Sequence, residues 1–340
     1  MTIERDVEIR SANRTISVPD GRTILEAALE AGIPYPHGCR SGRCGSCKSR
    51  LIAGEVDLLD HTRFALSEEE KSHGFILACR ALPRTDVAVA WMGGDEEAAD
   101  HPVRGLQCRV VSVEDATHDI KRIRLAVEDG GPLAFTAGQY ARVTFPGAPA
   151  RDYSMANWPD DPELEFHVRR VPGGAATERV HGRLRVGDPV RVEGPFGSSY
   201  LREKHAGPIL CVAGGSGLAP IKSIVETALA QGLKQPIHLY FGARTERDLY
   251  LVDHFEGLEA RHTNLTFTPV LSEAPPLRAW RTGWVTDAVA QDLKDLDGWK
   301  AYIAGPPGMV EAAMEVTRSR GLGPEDLHAD IFFTPEEIAA

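Results

Sequence analysis

Long hydrophobic runs, an excess of positive charge and a dense set of cysteines are all missing from this sequence. No apolar run approaches the roughly 18 residues that a membrane-spanning helix needs, and residues 1–20 lack the apolar core of a signal peptide. The 38 Lys and Arg residues are outnumbered by 49 Asp and Glu residues, and the net charge of −11 argues against a nucleic-acid-binding surface. Six cysteines in 340 residues do not make a disulfide scaffold. We therefore expect a cytoplasmic enzyme that binds neither nucleic acid nor membrane.

The chain divides into segments with different patterns. Residues 1–92 predict a small strand-rich domain with short helices, one of which opens with a capping box at residues 23–26. Residues 93–104 are acidic and contain Gly and Pro, which predicts a linker. Residues 105–203 alternate in short runs separated by turn residues, as in a small antiparallel barrel. Residues 204–340 alternate apolar runs with helical stretches, which predicts a parallel sheet with crossover helices.

Four cysteines follow the pattern C-x4-C-x2-C-x31-C, namely Cys39, Cys44, Cys47 and Cys79. This spacing is typical of a plant-type [2Fe–2S] cluster, which takes three thiolates from one tight loop and the fourth from elsewhere. Small residues such as Gly42 and Gly45 let the loop backbone approach the bridging sulfides and offer them N–H groups. A zinc site is the main alternative, but zinc loops favour two C-x2-C pairs and this chain has one. Inert thiols are a third possibility.

The surroundings of the cysteine loop are basic, although the chain as a whole is acidic. The basic residues are Arg40, Arg43, Lys48 and Arg50. A solvated face is one interpretation of this patch, and a docking surface for an acidic electron acceptor is the other. His37 adjoins the loop, and we interpret it as a loop residue because the four-cysteine set is already complete.

The barrel segment contains two signals that suit a flavin nucleotide. Arg151 has the paired donors that fit a pyrophosphate, while Tyr153 offers a flat ring and Ser154 a hydroxyl for the isoalloxazine. A Gly-rich turn at Gly173 and Gly174 then leads into a predicted helix, whose N-terminus suits an anion. Each signal alone also fits a surface strand or an ordinary helix cap, so the order of the two matters most.

A third Gly-rich turn follows a buried strand, and its residues are Gly214, Gly215, Ser216 and Gly217. Such a turn lets a pyrophosphate approach the N-terminus of the next helix. Pro220 stands where the dinucleotide fingerprint has its third glycine. The pattern therefore does not predict a generic dinucleotide site by itself.

The order of these motifs resembles the ferredoxin–NADP reductase superfamily, whose flavin barrel carries R-x-Y-S followed by G-x-x-S/T. The resemblance implies an FAD site formed by Arg151, Tyr153, Ser154, His167, Arg169, Gly174 and Thr177. In it, Arg151 would hold the pyrophosphate, and Tyr153 and Ser154 would contact the isoalloxazine. His167 and Arg169 would pass near the dinucleotide, and Gly174 and Thr177 would bind phosphate.

The nucleotide half matches the G-S/T-G-x-A-P and C-G-P-P-x-M motifs of the same superfamily. The resemblance implies that Pro220 and residues 214–217 line the pyrophosphate site, and that Gly305 and Pro306 lie by the nicotinamide. Ala304 replaces the usual Cys, so no thiol is expected at hydride transfer. An aromatic residue near the C-terminus often stacks on the isoalloxazine in this superfamily. Phe332 is our candidate, and a buried strand-end pair with Phe333 is the alternative. Ser154 and Phe332 are thus the candidate catalytic residues.

The choice of coenzyme depends on the residues after the third parallel strand. Superfamily members that use NADPH carry Ser-Arg there, whereas this chain has Ser272 and Glu273. A carboxylate would repel a 2′-phosphate and would accept a hydrogen bond from a free hydroxyl. Arg244 would offset part of this repulsion, so we expect NADH as coenzyme, with NADP as the less favoured alternative.

The whole chain resembles the reductase components of bacterial multicomponent oxygenases, in particular reductases of Rieske aromatic-ring dioxygenases of the naphthalene dioxygenase type. The resemblance implies a β-grasp plant-type ferredoxin domain, an antiparallel FAD barrel and a Rossmann-like α/β NAD domain. It also implies a monomer that passes electrons from NADH through FAD and a [2Fe–2S] cluster to a ferredoxin or a terminal Rieske oxygenase. The same domain order serves di-iron monooxygenases of the phenol or methane type, which is the main alternative. A ferredoxin carrier fused to a non-catalytic module is a third, against which the intact motifs argue.

Overall fold

The computed structural model describes six stretches of the chain, residues 4–37, 40–43, 45–63, 65–91, 101–273 and 280–334. The chain forms two compact units, Met1–Ala98 and Ala99–Ala340. The second unit contains both the predicted barrel and the predicted parallel sheet. Within the described stretches, no helix is long and apolar enough to cross a membrane. Most of the predicted linker lies outside the described residues, and Arg104 at its end already belongs to a strand.

The N-terminal unit combines a mixed sheet with short helices. Its elements are β1 (Glu4–Ile9), β2 (Arg14–Pro19), α1 (Ile24–Glu30), β3 (Lys48–Ala53), β4 (Val56–Leu58), α2 (Glu68–Ser72), β5 (Phe75–Leu77), β6 (Ala81–Pro83) and β7 (Val87–Trp91). The main sheet has the order β2-β1-β7-β3-β5, in which β1 is parallel to β7 and antiparallel to β2. Apolar side chains of the sheet and of α1, among them Ile9, Ile24 and Leu77, are buried together in its core.

Turn and capping residues set the boundaries of these elements. Asn13 adopts a φ of 50° between β1 and β2, which are antiparallel as the alternating pattern predicts. Thr23 and Glu26 form the predicted capping box at the start of α1, and Ser67 and Glu70 form another at the start of α2. The helices therefore begin where short polar side chains satisfy the first backbone N–H groups.

The next part of the chain forms a near-closed antiparallel barrel. Its elements are β8 (Arg104–Asp115), β9 (Ile120–Val127), β10 (Tyr140–Thr144), β11 (Arg151–Ser154), β12 (Glu163–Arg169), α3 (Ala175–Arg183) and β13 (Pro189–Phe196). The strand order is β11-β10-β13-β8-β9-β12. A bridge between Met155 and Phe166 brings β11 next to β12, so the two edges of the sheet meet. The short alternating runs of the sequence thus form the predicted barrel.

The C-terminal part forms a parallel sheet flanked by helices. Its elements are β14 (Ile209–Gly214), α4 (Leu218–Ala230), β15 (Ile237–Ala243), α5 (Val252–Arg261), β16 (Leu265–Leu271), β17 (Arg281–Thr282), α6 (Val285–Asp292), β18 (Lys300–Gly305), α7 (Pro307–Arg318) and β19 (Leu327–Ile331). The order is β17-β16-β15-β14-β18-β19, with every pair parallel. The strand order reverses between β14 and β18. A ligand crevice is expected outside the carboxyl ends of these two strands.

The barrel and the parallel sheet share an apolar core. Ile120, Ala137 and Leu201 from the barrel side are buried in the same cluster as Ile224 of α4 and Cys211 of β14. Cys211 is therefore a core residue of this unit. Because the core is continuous, the positions of the barrel and of the sheet are fixed relative to each other.

Gly138 lies where this packing is tightest. Its φ is +103°, and a Cβ at this position would lie 2.4 Å from the Ser199 carbonyl oxygen and 3.0 Å from Ile224 Cδ1. Gly147 offers a matched control, since its φ is also positive (+68°) but nothing lies within 4 Å of its Cβ position. We expect Gly138→Ala to destabilise the C-terminal unit by about 1–3 kcal/mol more than Gly147→Ala does. In calorimetry this corresponds to a fall in Tm of about 2–4 °C per kcal/mol. Equal Tm values for the two variants would contradict the close approach.

Candidate redox and nucleotide-binding site

The cysteine loop brings two of the predicted cluster ligands together. Cys47 precedes β3 and Cys79 follows β5, and both are buried. They meet because β3 pairs with β5, with Lys48 opposite Leu77. The Cys79 N–H donates to Cys47 Sγ over 3.4 Å. Such a bond stabilises a thiolate, as a cluster ligand requires. The other predicted ligands, Cys39 and Cys44, lie outside the described residues, so the complete set stays a prediction.

Glycine conformations shape the same loop. Gly42 has a φ of +74°, and a Cβ there would lie 2.9 Å from His61 Cβ. Gly45 has a φ of +77°, and its Cβ would lie 3.3 Å from the Ala65 carbonyl oxygen. The loop therefore lies tightly against His61 and Ala65, and a side chain at either glycine would obstruct this approach. Buried sulfur atoms beside a tight glycine loop with an N–H directed at one of them fit an iron–sulfur cluster.

The basic residues around this loop contact different kinds of partner. Lys48 Nζ lies 2.6 Å from Glu70 Oε1, and the Arg50 guanidinium lies 5.8 Å from the centre of the Phe75 ring. Arg40 Nη2 lies 3.0 Å from His37 Nε2. His37 thus contacts an arginine of the loop, in agreement with its interpretation as a loop residue. The ion pair of Lys48 reduces the positive charge of the patch, whose role as a docking surface stays a hypothesis.

The R-x-Y-S segment forms β11 at the edge of the barrel. Arg151 is exposed, while Tyr153 packs edge-on against Phe145 with ring centres 5.9 Å apart. The Tyr153 hydroxyl is buried and has no hydrogen-bond partner among the described residues. Burial raises the pKa of Tyr153 to about 12, so the hydroxyl keeps its proton. A buried donor without a protein partner costs about 1–3 kcal/mol unless a ligand satisfies it. The segment therefore fits a bound flavin nucleotide.

The predicted phosphate turn leads into α3, whose N-cap is Gly174. The Thr177 hydroxyl accepts from the Val171 N–H at 3.1 Å and also lies 3.2 Å from the Gly174 carbonyl oxygen. These bonds use the Thr177 side chain to shape the turn. The first-turn N–H groups of α3 are therefore the donors that the turn presents to an anion.

Ser154 contacts a residue that the sequence did not reveal as functional. Its hydroxyl donates to Asp330 Oδ2 over 2.5 Å, which joins the end of β11 to β19 of the parallel sheet. Burial raises the pKa of Asp330 to about 6, although the Ser154 hydrogen bond opposes this shift. In the sequence, Asp330 is only a single carboxylate inside an apolar C-terminal stretch. That signal is weak because its partner, Ser154, is far away along the chain.

His167 and Arg169 have different surroundings, although they lie two residues apart on the same strand. The His167 side chain is fully buried, with Nε2 2.8 Å from Glu165 Oε1 and Nδ1 2.9 Å from the Tyr250 hydroxyl. Both ring nitrogens thus have protein partners, and the passage of His167 near a dinucleotide stays a prediction. Arg169 donates to Asp119 Oδ2 over 2.9 Å and faces the crevice of the parallel sheet.

A cavity of about 200 Å³ lies at the switch point of the sheet, as the strand order predicts. Gly214, Gly215 and Pro306 line one end of it, together with Arg169 from the barrel. Gly215 has a φ of +55°, and Arg169 Nη1 lies 3.6 Å from the position of its absent Cβ. The barrel and the sheet therefore both contribute to this cavity, and Arg169 brings a positive charge to it.

The glycines of this turn also serve close packing between β14 and β18. A Cβ on Gly217 would lie 2.1 Å from the Ala304 carbonyl oxygen, and a Cβ on Gly305 would lie 2.9 Å from the Gly214 carbonyl oxygen. Ser216 is buried in the turn, and Pro220 lies in the first turn of α4. The predicted motif residues are thus brought together. Phe332 adjoins them, because its N–H donates to the Gly305 carbonyl at 2.9 Å.

The lining of the cavity also contains residues that bear on coenzyme choice. Arg244 Nη2 lies 3.2 Å from Asp248 Oδ1, so a carboxylate already pairs with its charge. Glu273 is exposed, and its backbone N–H donates to the Arg244 carbonyl. Its neighbour Ser272 lines the cavity. Trp284, 67% exposed, also lines the cavity and was not foreseen from the sequence. A lone tryptophan in a sequence carries no signal, whereas an exposed indole at a cavity rim offers a stacking surface.

Comparison with protein-family models finds matches that cover most of the chain. Residues 7–84 match the 2Fe-2S iron-sulfur cluster binding domain, residues 107–200 the oxidoreductase FAD-binding domain, and residues 211–315 the oxidoreductase NAD-binding domain. The predicted cofactors and fold class are thereby confirmed, and the zinc alternative for the cysteine loop is not favoured.

Several known proteins are similar over nearly the full length. The ferredoxin–NAD(P)+ reductase component of the naphthalene 1,2-dioxygenase system of Pseudomonas putida is 42% identical over 96% of this chain and 98% of its own. The reductase component of phenol 2-monooxygenase from Pseudomonas sp. strain CF600 is 37% identical, over 98% and 96% of the two chains. The crystal structure of the Amycolatopsis reductase GcoB, 39% identical, superposes with a TM-score of 0.77 over 96% of this chain and 98% of its own. The chain belongs to the family of ferredoxin–NAD(P)+ reductase components of multicomponent oxygenases.

Proposed function

We propose that this protein takes electrons from NADH and delivers them singly, through FAD and a [2Fe–2S] cluster, to a ferredoxin or a terminal Rieske oxygenase of an aromatic-ring dioxygenase. The observation that carries the proposal is the contact of Ser154 with Asp330. It joins the flavin-type edge of the barrel to the crevice of the nucleotide-type sheet within one compact unit. A two-electron donor and a flavin need this proximity.

The residues proposed to hold FAD are those around β11 and α3. Arg151 would pair with the pyrophosphate, the Tyr153 hydroxyl would find its missing partner in the flavin, and the first-turn N–H groups of α3 would bind phosphate. Ser154 and Phe332 would lie at the isoalloxazine. FAD supplies the step between two-electron and one-electron transfer, because a flavin accepts a hydride and releases electrons one at a time.

The cavity at the switch point is the proposed site of NADH. Pro306 would contact the nicotinamide, and Gly214 and Gly215 would line the pyrophosphate, with Arg169 and its partner Asp119 beside them. Trp284 would stack on the adenine at the other end. Glu273 favours a free 2′-hydroxyl over a phosphate, and the pairing of Arg244 with Asp248 weakens the one nearby contact that would offset this preference.

The identity of the acceptor is the part of the proposal that depends most on the relatives. Reductases of dioxygenase and of phenol monooxygenase systems are both similar over the full length of the chain. The higher identity to the naphthalene dioxygenase component, 42% against 37%, supports a Rieske system over a di-iron monooxygenase. Both assignments predict the same cofactors, so only the acceptor distinguishes them.

The function is tested by separating the two electron-transfer steps. Purified protein should contain about two irons and one FAD per chain. Cys47→Ser should abolish NADH-dependent reduction of cytochrome c and of candidate ferredoxins, while stopped-flow reduction of the flavin by NADH stays within about twofold of the wild-type rate. Cys108→Ala, at a buried cysteine of the barrel core, is the control and should retain both steps.

Loss of flavin reduction in Cys47→Ser, with FAD content unchanged, would contradict the assigned order of electron transfer. Bound zinc without iron would contradict the cluster. Presentation of Rieske and di-iron oxygenases to the wild-type protein then decides between the two acceptor classes.

The Ser154–Asp330 hydrogen bond predicts a pH dependence of flavin reduction. The pKa of Asp330 is raised to about 6, so its carboxyl is ionised above that pH and holds the Ser154 proton, and it is protonated below. Once Asp330 is protonated, the Ser154 hydroxyl is released to donate toward the flavin. The limiting rate of reduction by NADH should therefore rise as the pH falls through about 6.

Asp330→Asn should make this rate independent of pH between about pH 5 and 7. Asp129→Asn, at an exposed loop position, is the control and should retain the wild-type profile. A titration near pH 6 that persists in Asp330→Asn would assign it to another group.

Glu273→Arg should shift the coenzyme preference toward NADPH. A charge-assisted contact with a 2′-phosphate is worth about 1.5–3 kcal/mol, so the ratio of kcat/KM for NADPH over NADH should rise about 10- to 100-fold. Glu315→Arg makes the same change of charge on the exposed face of α7, away from the cavity, and should leave the ratio unchanged. An unchanged ratio in Glu273→Arg would mean that the adenine ribose binds elsewhere.

A further inference from the structure

Glu165 is a buried carboxylate where the barrel packs on the parallel sheet. Its side chain is only 3% exposed. Arg122 Nε and His167 Nε2 lie 3.0 and 2.8 Å from Oε1, and Lys222 Nζ lies 3.3 Å from Oε2. Burial alone would raise the pKa of Glu165, but the His167 hydrogen bond and the charges of Lys222 and Arg122 lower it, so the group is ionised. Arg122 and His167 belong to the barrel, whereas Lys222 belongs to the sheet side.

Lys222 carries this contact into helix α4, which follows the phosphate turn. Its ammonium also donates to the Ala156 carbonyl of the barrel at 3.0 Å and pairs with Glu226 at 3.1 Å. Glu226 Oε1 lies 2.6 Å from His254 Nε2 of α5. One ammonium thus connects the barrel to the first turns of α4, and through Glu226 to a second helix of the nucleotide-binding sheet.

His167 forms a second connection, which ends at the turn itself. Burial lowers the pKa of His167, so the ring is neutral, with its Nε2–H donating to Glu165 and its Nδ1 accepting from the Tyr250 hydroxyl at 2.9 Å. That hydroxyl also lies 3.3 Å from the Gly215 carbonyl oxygen. Its single proton is donated to Nδ1, so Tyr250 packs against the turn without a second full hydrogen bond. Glu165 therefore reaches the Gly-rich turn through the packing of Tyr250 at its start and through the Lys222 ion pair beyond its end.

We propose that Glu165 is a positioning residue for the reductase reaction, which fixes the Gly215 turn, and with it the bound nicotinamide nucleotide, relative to the flavin barrel. The inference rests on the proposed function, since it concerns the alignment of the two nucleotides in that reaction. The apolar core already holds the two layers together. A buried ion pair adds little net stability but has strict geometry, so its value here is orientation.

The neighbouring pair of Glu163 with Arg124 provides a matched control. Glu163 lies on the same strand, its Oε2 accepts from Arg124 Nε at 2.7 Å, and both residues belong to the barrel and are partly exposed. Glu163→Gln therefore removes an ion pair without touching the sheet side. Glu165→Gln removes the carboxylate that joins the barrel to the sheet, and Lys222→Met removes its partner.

Two measurements test the role of Glu165. The first is hydrogen exchange of the amides of residues 212–219 in the FAD-loaded protein without NADH, which Glu165→Gln should accelerate at least tenfold and Glu163→Gln should not. The second is stopped-flow reduction of the flavin. Glu165→Gln should lower the limiting rate at saturating NADH by about 10- to 100-fold while the Kd for NADH changes much less, because small misplacements of reacting groups have effects of this size. Lys222→Met should slow the Glu165→Gln variant by a smaller factor than it slows the wild type, since the contact between Glu165 and Lys222 is lost in both single variants.

The outcomes distinguish positioning from stability. If Glu165→Gln lowers only Tm, with exchange and limiting rate equal to those of Glu163→Gln, the network is structural and the proposal is wrong. Rates that are multiplicative in the double variant would also overturn it. Failure of NADH to reduce the wild-type flavin would instead refute the proposed function, and the exchange measurement would still report on the turn.

Discussion

The packing of the flavin-type barrel on the parallel sheet is the constraint on which the nucleotide site depends. The turn after β14 comes from the sheet, while Ser154 and Arg169 come from the barrel. Only a continuous core holds such groups at hydrogen-bonding distances, because close-packed interiors do not deform freely. Gly138 shows how tight the contact is, since even a methyl group would meet the Ser199 carbonyl oxygen. The relative positions of the polar groups at the site thus depend on the apolar core that the barrel and the sheet share.

Two carboxylates at this interface have opposite electrostatic surroundings. Glu165 faces three nitrogen donors and stays ionised, whereas Asp330 receives the Ser154 hydroxyl and has its pKa raised to about 6 by burial. An ionised, fully paired group is suited to holding geometry. A group that titrates near neutral pH beside a hydroxyl is suited to controlling a proton. Two buried carboxylates are thus suited to different roles because Glu165 has three nitrogen partners and Asp330 has a single hydroxyl partner.

The parts of the molecule that the sequence predicted are those defined by contiguous residues. The capping box of α1, the short alternating barrel strands and the Gly-rich turn between β14 and α4 each depend on neighbours along the chain, and each lies where expected. Asp330 and Trp284 could not be identified from the sequence. Asp330 depends on Ser154, which is more than 100 positions away, and Trp284 depends on its place in the cavity lining, and no local pattern encodes either. The ring of His167 likewise has a distant partner, the Tyr250 hydroxyl, beside its near neighbour Glu165. The role of His167 near a dinucleotide stays a prediction.

The division of the chain into two units separates the two specificities that we propose. The residues proposed to decide the coenzyme, Glu273 and Arg244, lie in the C-terminal unit, while Cys47, Cys79 and their glycine loop lie wholly in the N-terminal one. Each unit has its own core, so a substitution at one site need not disturb the packing of the other. Reductases of dioxygenase and of monooxygenase systems both match nearly the whole chain, which fits this arrangement. If the basic patch around the cluster loop is the docking surface, as hypothesised, the acceptor is selected by the N-terminal unit and the coenzyme by the C-terminal one.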